Sequence, residues 1–98
     1  MAVFNIQLTI PQYPAGPTLL IHLGVACKAY FSWSKSGIPG GALYFGGPGL
    51  TINNGFAVSS ASSWEPFVVE VPANDYLYVI NAEAGINADR LLTMLVIY

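Results

Sequence analysis

Strict alternation of apolar and polar residues near the start of the chain constrains the fold more than any other sequence feature. Between Phe4 and Ile10 the even positions are apolar and the odd positions are polar. Successive side chains of a β-strand point to opposite faces of a sheet, so this period of two predicts a strand with one buried face. Pro11 and Pro14 follow directly and end the strand.

The same short pattern recurs along the chain, separated by turn signals. Glycine and proline clusters at 36–41 and 46–49, and an Asn54-Gly55 pair typical of two-residue hairpins, interrupt it. Further strands are predicted at Thr18–Leu23, Ala26–Ser34, Ala42–Phe45, Glu65–Val71, Tyr76–Asn81 and Leu91–Tyr98. No segment has the 3.6-residue period of an amphipathic helix. We therefore expect an all-β fold, a single jelly-roll-like β-sandwich of about eight short antiparallel strands.

The length of 98 residues allows one domain, because a second independent core would not fit. Within it, residues 1–17 combine the first strand with a proline-rich segment that contains Pro11, Pro14 and Pro17. Proline removes a backbone donor from a sheet, so this segment is predicted to be an arm able to reach a neighbouring subunit. Residues 18–98 are expected to form the sandwich body.

Charge is scarce in this chain. It has three basic and five acidic residues, whereas 54% of its residues are hydrophobic. Three basic residues cannot neutralise a run of phosphates, which argues against nucleic acid and anionic membranes as partners. A small domain buries only about 60–65% of its extended-chain surface, so part of the apolar excess is expected to face another protein.

Targeting signals and membrane spans are not evident. The apolar run from Leu19 to Ala29 is interrupted by His22, Gly24 and Lys28, well short of the roughly 20 residues of a spanning helix. The N-terminus lacks the pattern of a secretory signal, so synthesis in the cytoplasm is expected.

No residue pattern points to catalysis or to a cofactor. Cys27 is the single cysteine and is predicted to be a buried structural thiol. His22 is the single histidine, and a triad with Ser59–Ser63 and Asp75 lacks the strained nucleophile turn that such chemistry uses. We expect a protein that is not an enzyme and binds no cofactor.

The sequence offers one possible metal site. Asn81, Glu83, Asn87 and Asp89 bring four oxygen-bearing side chains together around Gly85, which are the ligand types that calcium prefers. Their spacing differs from that of an EF-hand loop. A solvated loop between the last two strands is therefore the favoured interpretation, and no metal is expected.

Three stretches in the middle and C-terminal half follow one another in a recognisable order. They are Ala42–Thr51 (ALYFGGPGLT), Asn54–Val58 (NGFAV) and Val69–Ile80 (VEVPANDYLYVI), followed by an apolar last strand. In this order and spacing the chain resembles, from Ala26 to Tyr98, small virion proteins of tailed bacteriophages. The resemblance implies a capsid decoration or cement protein. Such a subunit sits on the capsid exterior, commonly as a homotrimer bound to the major capsid protein, and is part of the virion.

Contact positions follow from this hypothesis together with the apolar excess. The last strand and several aromatic residues are predicted to meet neighbouring subunits or the capsid: Trp33, Phe45, Trp64, Leu92, Met94, Val96 and Tyr98. An alternative function is a host-surface or carbohydrate-binding virion module of spike or fibre type. In that case Trp33 and Trp64 would be the surfaces on which sugar rings stack.

Overall fold

A computed structural model of the protein describes residues 2–33, 42–59, 67–82 and 90–98. These ranges contain strands and turns and no helix. The strands are β1 (Val3–Ile10), β2 (Thr18–His22), β3 (Cys27–Trp33), β4 (Ala42–Gly46), β5 (Phe56–Ser59), β6 (Phe67–Val71), β7 (Tyr76–Ala82) and β8 (Arg90–Ile97).

The strands form two four-stranded antiparallel sheets that pack face to face. Sheet I has the order β1-β8-β3-β6, and sheet II has the order β2-β7-β4-β5. Each strand of the first half of the chain pairs with its mirror-image strand in the second half: β1 with β8, β2 with β7, β3 with β6 and β4 with β5. This nested pairing is the order of a jelly roll, and it confirms the predicted all-β sandwich.

Alternating residues of both sheets fill the space between them. In sheet I a cross-strand row runs from Ile6 through Met94 and Phe31 to Phe67. Phe45 of sheet II meets this row, with its ring centroid 5.2 Å from that of Phe31 and 4.7 Å from that of Phe67. The core therefore joins the two sheets through aromatic contacts.

The N-terminal strand belongs to the sandwich body, and the residues that follow it stay against that body. β1 pairs with β8 along its whole length, and the side chain of Ile10 is buried in the core. The following residues also stay on the body, because the Tyr13 amide donates to the Asn81 carbonyl at 2.6 Å and Gln12 forms a parallel bridge to Asn81. Pro11, Pro14 and Pro17 lie in the segment that crosses from β1 of sheet I to β2 of sheet II.

The turn between β4 and β5 differs from the predicted two-residue hairpin. The connection runs from Gly47 to Gly55, and its residue with positive φ is Gly49, at 83°. The Asn54 side chain accepts from the Thr51 amide at 2.7 Å and donates to the Gly49 carbonyl at 3.1 Å. These side-chain hydrogen bonds stabilise a wider turn in place of the tight Asn-Gly one.

Candidate functional site

Four of the predicted contact residues lie in the core instead of on the surface. Leu92, Met94 and Val96 are fully buried, and Phe45 is 3% exposed. They occupy the inward face of β8 and of β4, where they pack between the sheets. A buried side chain cannot contact a partner, so their assignment as contact positions is wrong.

The other three predicted contact residues have different positions. Tyr98 is 43% exposed and packs edge to face on Phe4, with ring centroids 5.6 Å apart at 71°. The side chain of Trp33 and the whole of Trp64 lie outside the described part of the chain.

The outward side of sheet I carries the exposed apolar residues that the sequence analysis missed. Leu91, Leu95 and Ile97 lie on the outward side of β8, and Leu95 stands between Asn5 of β1 and Tyr30 of β3. We call this surface the apolar face, and it consists of Val3, Tyr30, Val68, Leu91, Leu95 and Ile97. All of these except the half-buried Ile97 are between 36% and 58% exposed.

A signal in the sequence indicates which side of β8 faces outward. Thr93 is the one uncharged polar residue of a strand that otherwise reads as apolar on both sides. It lies in register with Gln7 and Ser32, and the Gln7 amide donates to the Thr93 hydroxyl at 3.3 Å. The odd-numbered positions of β8 therefore share the outward side with Thr93.

Among the described side chains on the outward side of sheet I, the charged ones lie at one end, beside the apolar face, and neutralise each other. Lys28 and Glu70 stand opposite each other on β3 and β6, with Lys28 Nζ 3.6 Å from Glu70 Oε1. Both side chains are more than half exposed, so the pair contributes little to stability. Since the pair cancels its own charge, a partner meets no net charge from these two groups.

A shallow hollow of about 730 Å³ adjoins this end of the apolar face. Tyr30, Ile97 and the ion pair line it, together with Cys27. Burial raises the pKa of the Cys27 thiol above its ordinary value of 9.0, so the thiol stays protonated and unreactive at neutral pH. The hollow can receive a side chain of a partner.

The outward side of sheet II carries a second exposed feature, three aromatic rings in one orientation. The ring centroids of His22 and Tyr76 are 3.9 Å apart and the rings are parallel within 3°. Tyr78 follows with its centroid 6.2 Å from that of Tyr76, at 15°. We call these three residues the aromatic row.

A bulge in β2 directs His22 to the outward side. The register of β2 on β7 shifts between Leu19 and Ile21, so the neighbouring residues Leu20 and Ile21 are both buried. His22 then pairs with Tyr76 and is exposed, and its Nδ1 lies 3.2 Å from the Asp75 carbonyl oxygen.

A catalytic triad of His22, Asp75 and Ser59 does not form. His22 lies beside the start of β7, whereas Ser59 pairs with Ala42, which pairs with Ala82 at the end of β7. Six residues of strand separate those positions, which is roughly 20 Å. The Asp75 atom that holds His22 is its backbone carbonyl oxygen, and Ser60–Ser63 lie outside the described residues.

One of the four side chains of the possible calcium site, Asn81, is not available as a ligand. Asn81 is fully buried, and its Nδ2 donates to the Ile10 carbonyl at 3.0 Å. The other proposed ligands, Glu83, Asn87 and Asp89, lie outside the described residues. Within the described ranges, no group of three or more His, Cys, Asp and Glu side chains could hold a metal ion.

Phenylalanine side chains line a further opening between the two sheets. A cavity of about 400 Å³ lies beside Phe45, Phe56 and Phe67. Phe56 is 68% exposed and stacks on Phe67, with centroids 6.0 Å apart at 11°. The neighbouring residues 60–66 are not described, so this opening is assigned no function.

Comparison with known proteins adds no relationship to these geometric findings. No protein-family model and no curated protein matches the chain. In the part of the chain that the structure describes, no helix is long and apolar enough to cross a membrane.

Proposed function

We propose that this protein is a non-enzymatic structural subunit of a bacteriophage virion, a decoration or cement protein. It is made in the host cytoplasm, forms a homo-oligomer, with a trimer favoured, and binds the major capsid protein on the capsid exterior. The observation that carries the proposal is the apolar face of sheet I. The resemblance of residues 26–98 to small virion proteins of tailed phages gives the same function.

The composition of the apolar face supports contact with protein. Scattered exposed hydrophobic residues are normal on a monomer, whereas a contiguous apolar patch marks an interaction site. Here Tyr30 lies in register between Leu95 and Val68, so apolar side chains adjoin across three strands. An aromatic side chain amid aliphatic ones is typical of the core of an interface.

The size of the face indicates several weak contacts. The whole outward side of sheet I, of which the apolar face is a part, has four strands about 4.8 Å apart and up to about 25 Å long, or at most roughly 500 Å². A standard interface buries about 800 Å² per partner, so this face supplies part of one. Joining several such contacts through a symmetric oligomer increases the overall affinity for a capsid, which itself repeats the same site many times.

The first test is the native mass of the full chain, measured by light scattering after size exclusion. We expect three times the chain mass of 10.5 kDa. The variant Tyr30→Asp/Leu95→Asp should fall to the monomer mass, because each carboxylate would be desolvated in the contact. Its circular dichroism should remain that of a β-sheet protein, since both side chains are outside the core.

A matched control adds the same two charges elsewhere. Gly16→Asp/Pro17→Asp places them on exposed residues of the crossing between β1 and β2, and its native mass should equal that of the unmodified protein. A monomeric unmodified protein, or a Tyr30→Asp/Leu95→Asp variant that keeps its oligomer, would contradict self-association through the apolar face.

Capsid binding is measured separately by co-sedimentation with purified phage capsids. The unmodified protein should sediment with capsids, and the face variant should stay in the supernatant. Normal sedimentation of the face variant would refute this face as the capsid contact.

A further inference from the structure

We infer that the aromatic row of His22, Tyr76 and Tyr78 binds neutral saccharides. The row lies on the outward side of sheet II, whereas the apolar face lies on the outward side of sheet I, so the two surfaces are on opposite sides of the sandwich. The inference therefore goes beyond the proposed function and does not depend on it.

The rings are arranged as a stacking surface. Each ring is parallel to the next within 15°, and the row extends across two strands, from His22 on β2 to Tyr76 and Tyr78 on β7. His22 stacks on one face of Tyr76, which leaves the opposite face for a ligand. Tyr76 is 39% exposed and His22 is exposed, so ring surface is accessible to solvent. The apolar C–H faces of a pyranose ring pack against such aromatic surface by dispersion, without requiring charge on either side.

The strand beside the row leaves space next to Tyr76. β4 ends at Gly46, which pairs with Tyr78, and the chain continues through the exposed Gly47. A Cβ atom added at Gly47 would meet only the Tyr76 carbonyl oxygen, at 3.9 Å. The Leu50 side chain lies against Gly46, 2.9 Å from where a Cβ atom there would be, so the part of the β4 side that no side chain at position 47 fills is the part next to Tyr76.

Hydrogen-bonding groups surround the rings. His22 Nδ1 donates to the Asp75 carbonyl, so Nε2 is the ring nitrogen left for a ligand. The hydroxyls of Tyr76 and Tyr78 make no hydrogen bond within the described part of the chain. Asn74 and Asp75 are exposed in the turn that precedes Tyr76. A ligand rich in hydroxyls satisfies these groups while it covers the rings.

Charge argues for a neutral ligand. The formal charge next to the row is the carboxylate of Asp75, and the whole chain carries a net charge of −2. A phosphate, a nucleic acid or a sialylated glycan would meet the Asp75 carboxylate and would find no described Lys or Arg side chain in the row or in its turn. Neutral hexose or N-acetylhexosamine chains have the combination of ring faces and hydroxyls that the row accommodates.

The test is titration of the isotopically labelled full chain with maltohexaose, cellohexaose and chitohexaose, followed by amide and aromatic NMR shifts. At least one of these probes, at millimolar concentration, should shift the signals of His22, Tyr76 and Tyr78 in a saturable manner. Sialyllactose should bind more weakly than the best neutral probe.

Variants separate stacking from general effects. Tyr76→Ala should weaken binding about five- to tenfold, the range expected for loss of one ring contact. Tyr76→Phe keeps the ring and should weaken it less than threefold. The matched control is Tyr13→Ala, since Tyr13 is 49% exposed and Tyr76 39%, but Tyr13 lies between β1 and β2, outside both the aromatic row and the apolar face. It should leave saccharide affinity unchanged.

Three outcomes would overturn the inference. They are the absence of saturable shifts with all three neutral probes, equal loss of affinity in Tyr13→Ala and Tyr76→Ala, and a change in native mass as the sole effect of Tyr76→Ala. The third outcome would assign the row to a protein contact. Failure here leaves the native mass and capsid sedimentation of the unmodified protein unchanged, so it is distinct from failure of the proposed function.

Discussion

At the scale of single residues, Asn81 shows how a polar side chain can be misassigned from sequence. Asn81 is the first of four oxygen-bearing side chains between 81 and 89, for which the sequence favours a solvated loop over a calcium site. Instead the amide of Asn81 ties the end of β1 to sheet II through the Ile10 carbonyl, in a buried position. A buried backbone carbonyl needs a donor, and sequence spacing cannot reveal a partner 71 positions away.

Cys27 carries a pH prediction at the same scale. Its folded-state pKa is raised by burial, whereas the thiol of the unfolded chain ionises near 9.0. Above that pH the unfolded state has fewer bound protons than the folded state, so the free energy of unfolding falls as pH rises. Below it both states are protonated and the contribution is fully present.

The measurement is urea unfolding on both sides of pH 9.0, for the unmodified protein and for Cys27→Ala. We expect the unmodified protein to lose more stability across that range than the variant does, although the variant starts from a lower value because it leaves a cavity. Parallel losses in the two proteins would show that Cys27 is not the titrating group.

At the scale of elements, the β4–β5 turn depends on one close approach at Gly55. A Cβ atom added there would lie 2.7 Å from Leu50 Cδ1 and 2.8 Å from Tyr44 Cβ. Leu50 is buried and cannot move freely, so the added methyl group must displace the turn. The glycine is required for packing in this turn, although the Asn-Gly motif that drew attention to it forms no two-residue hairpin.

We predict that Gly55→Ala lowers the free energy of unfolding by about 1–3 kcal/mol, as overpacking does in other proteins. Gly16→Ala is the control, because a Cβ atom there would meet nothing within 4 Å. It should be neutral or stabilising by about 0.5 kcal/mol, since alanine restricts the unfolded chain. Denaturant unfolding of both variants measures these free energies. Equal stability of Gly55→Ala and Gly16→Ala would contradict the close contact at Gly55.

Strand positions were predictable because their signal is local, whereas the orientation of β8 was not. The alternation in β1 and the predicted bounds of β2, β3 and β7 agree with the structure to within one or two residues. In β8 both sides are apolar, so the period of two leaves the side that faces the core undecided. Thr93 indicates which side of β8 faces outward only together with its cross-strand partners Gln7 and Ser32. Those pairings are known from the fold and not from the sequence.

At the scale of the whole molecule, the nested order of strands predicts where the backbone is best protected. β8 and β3 are central in sheet I, and β7 and β4 are central in sheet II, so each has hydrogen-bonded neighbours on both sides. Hydrogen exchange measured by NMR should be slowest in these four strands. In β1, at the edge of sheet I, amides that point away from β8 should exchange faster.

The same experiment distinguishes two ways of assembling an oligomer. Packing through the apolar face leaves the outer amides of β1 open to solvent, whereas edge-to-edge pairing of β1 with another copy would protect them. Protection of every β1 amide to the level of β8 would therefore contradict association through the apolar face.

Nested pairing also determines how long a strand remains without its partner during translation. β1 is synthesised well before its partner β8, because the six other described strands lie between them in the sequence. At about 5–20 residues per second, the roughly 80 residues from the end of β1 to the start of β8 leave the apolar side of β1 without β8 for on the order of ten seconds. Among the described strands, β4 and β5 are neighbours both in the sequence and in the sheet, so this pair can form before β6, β7 and β8 are synthesised.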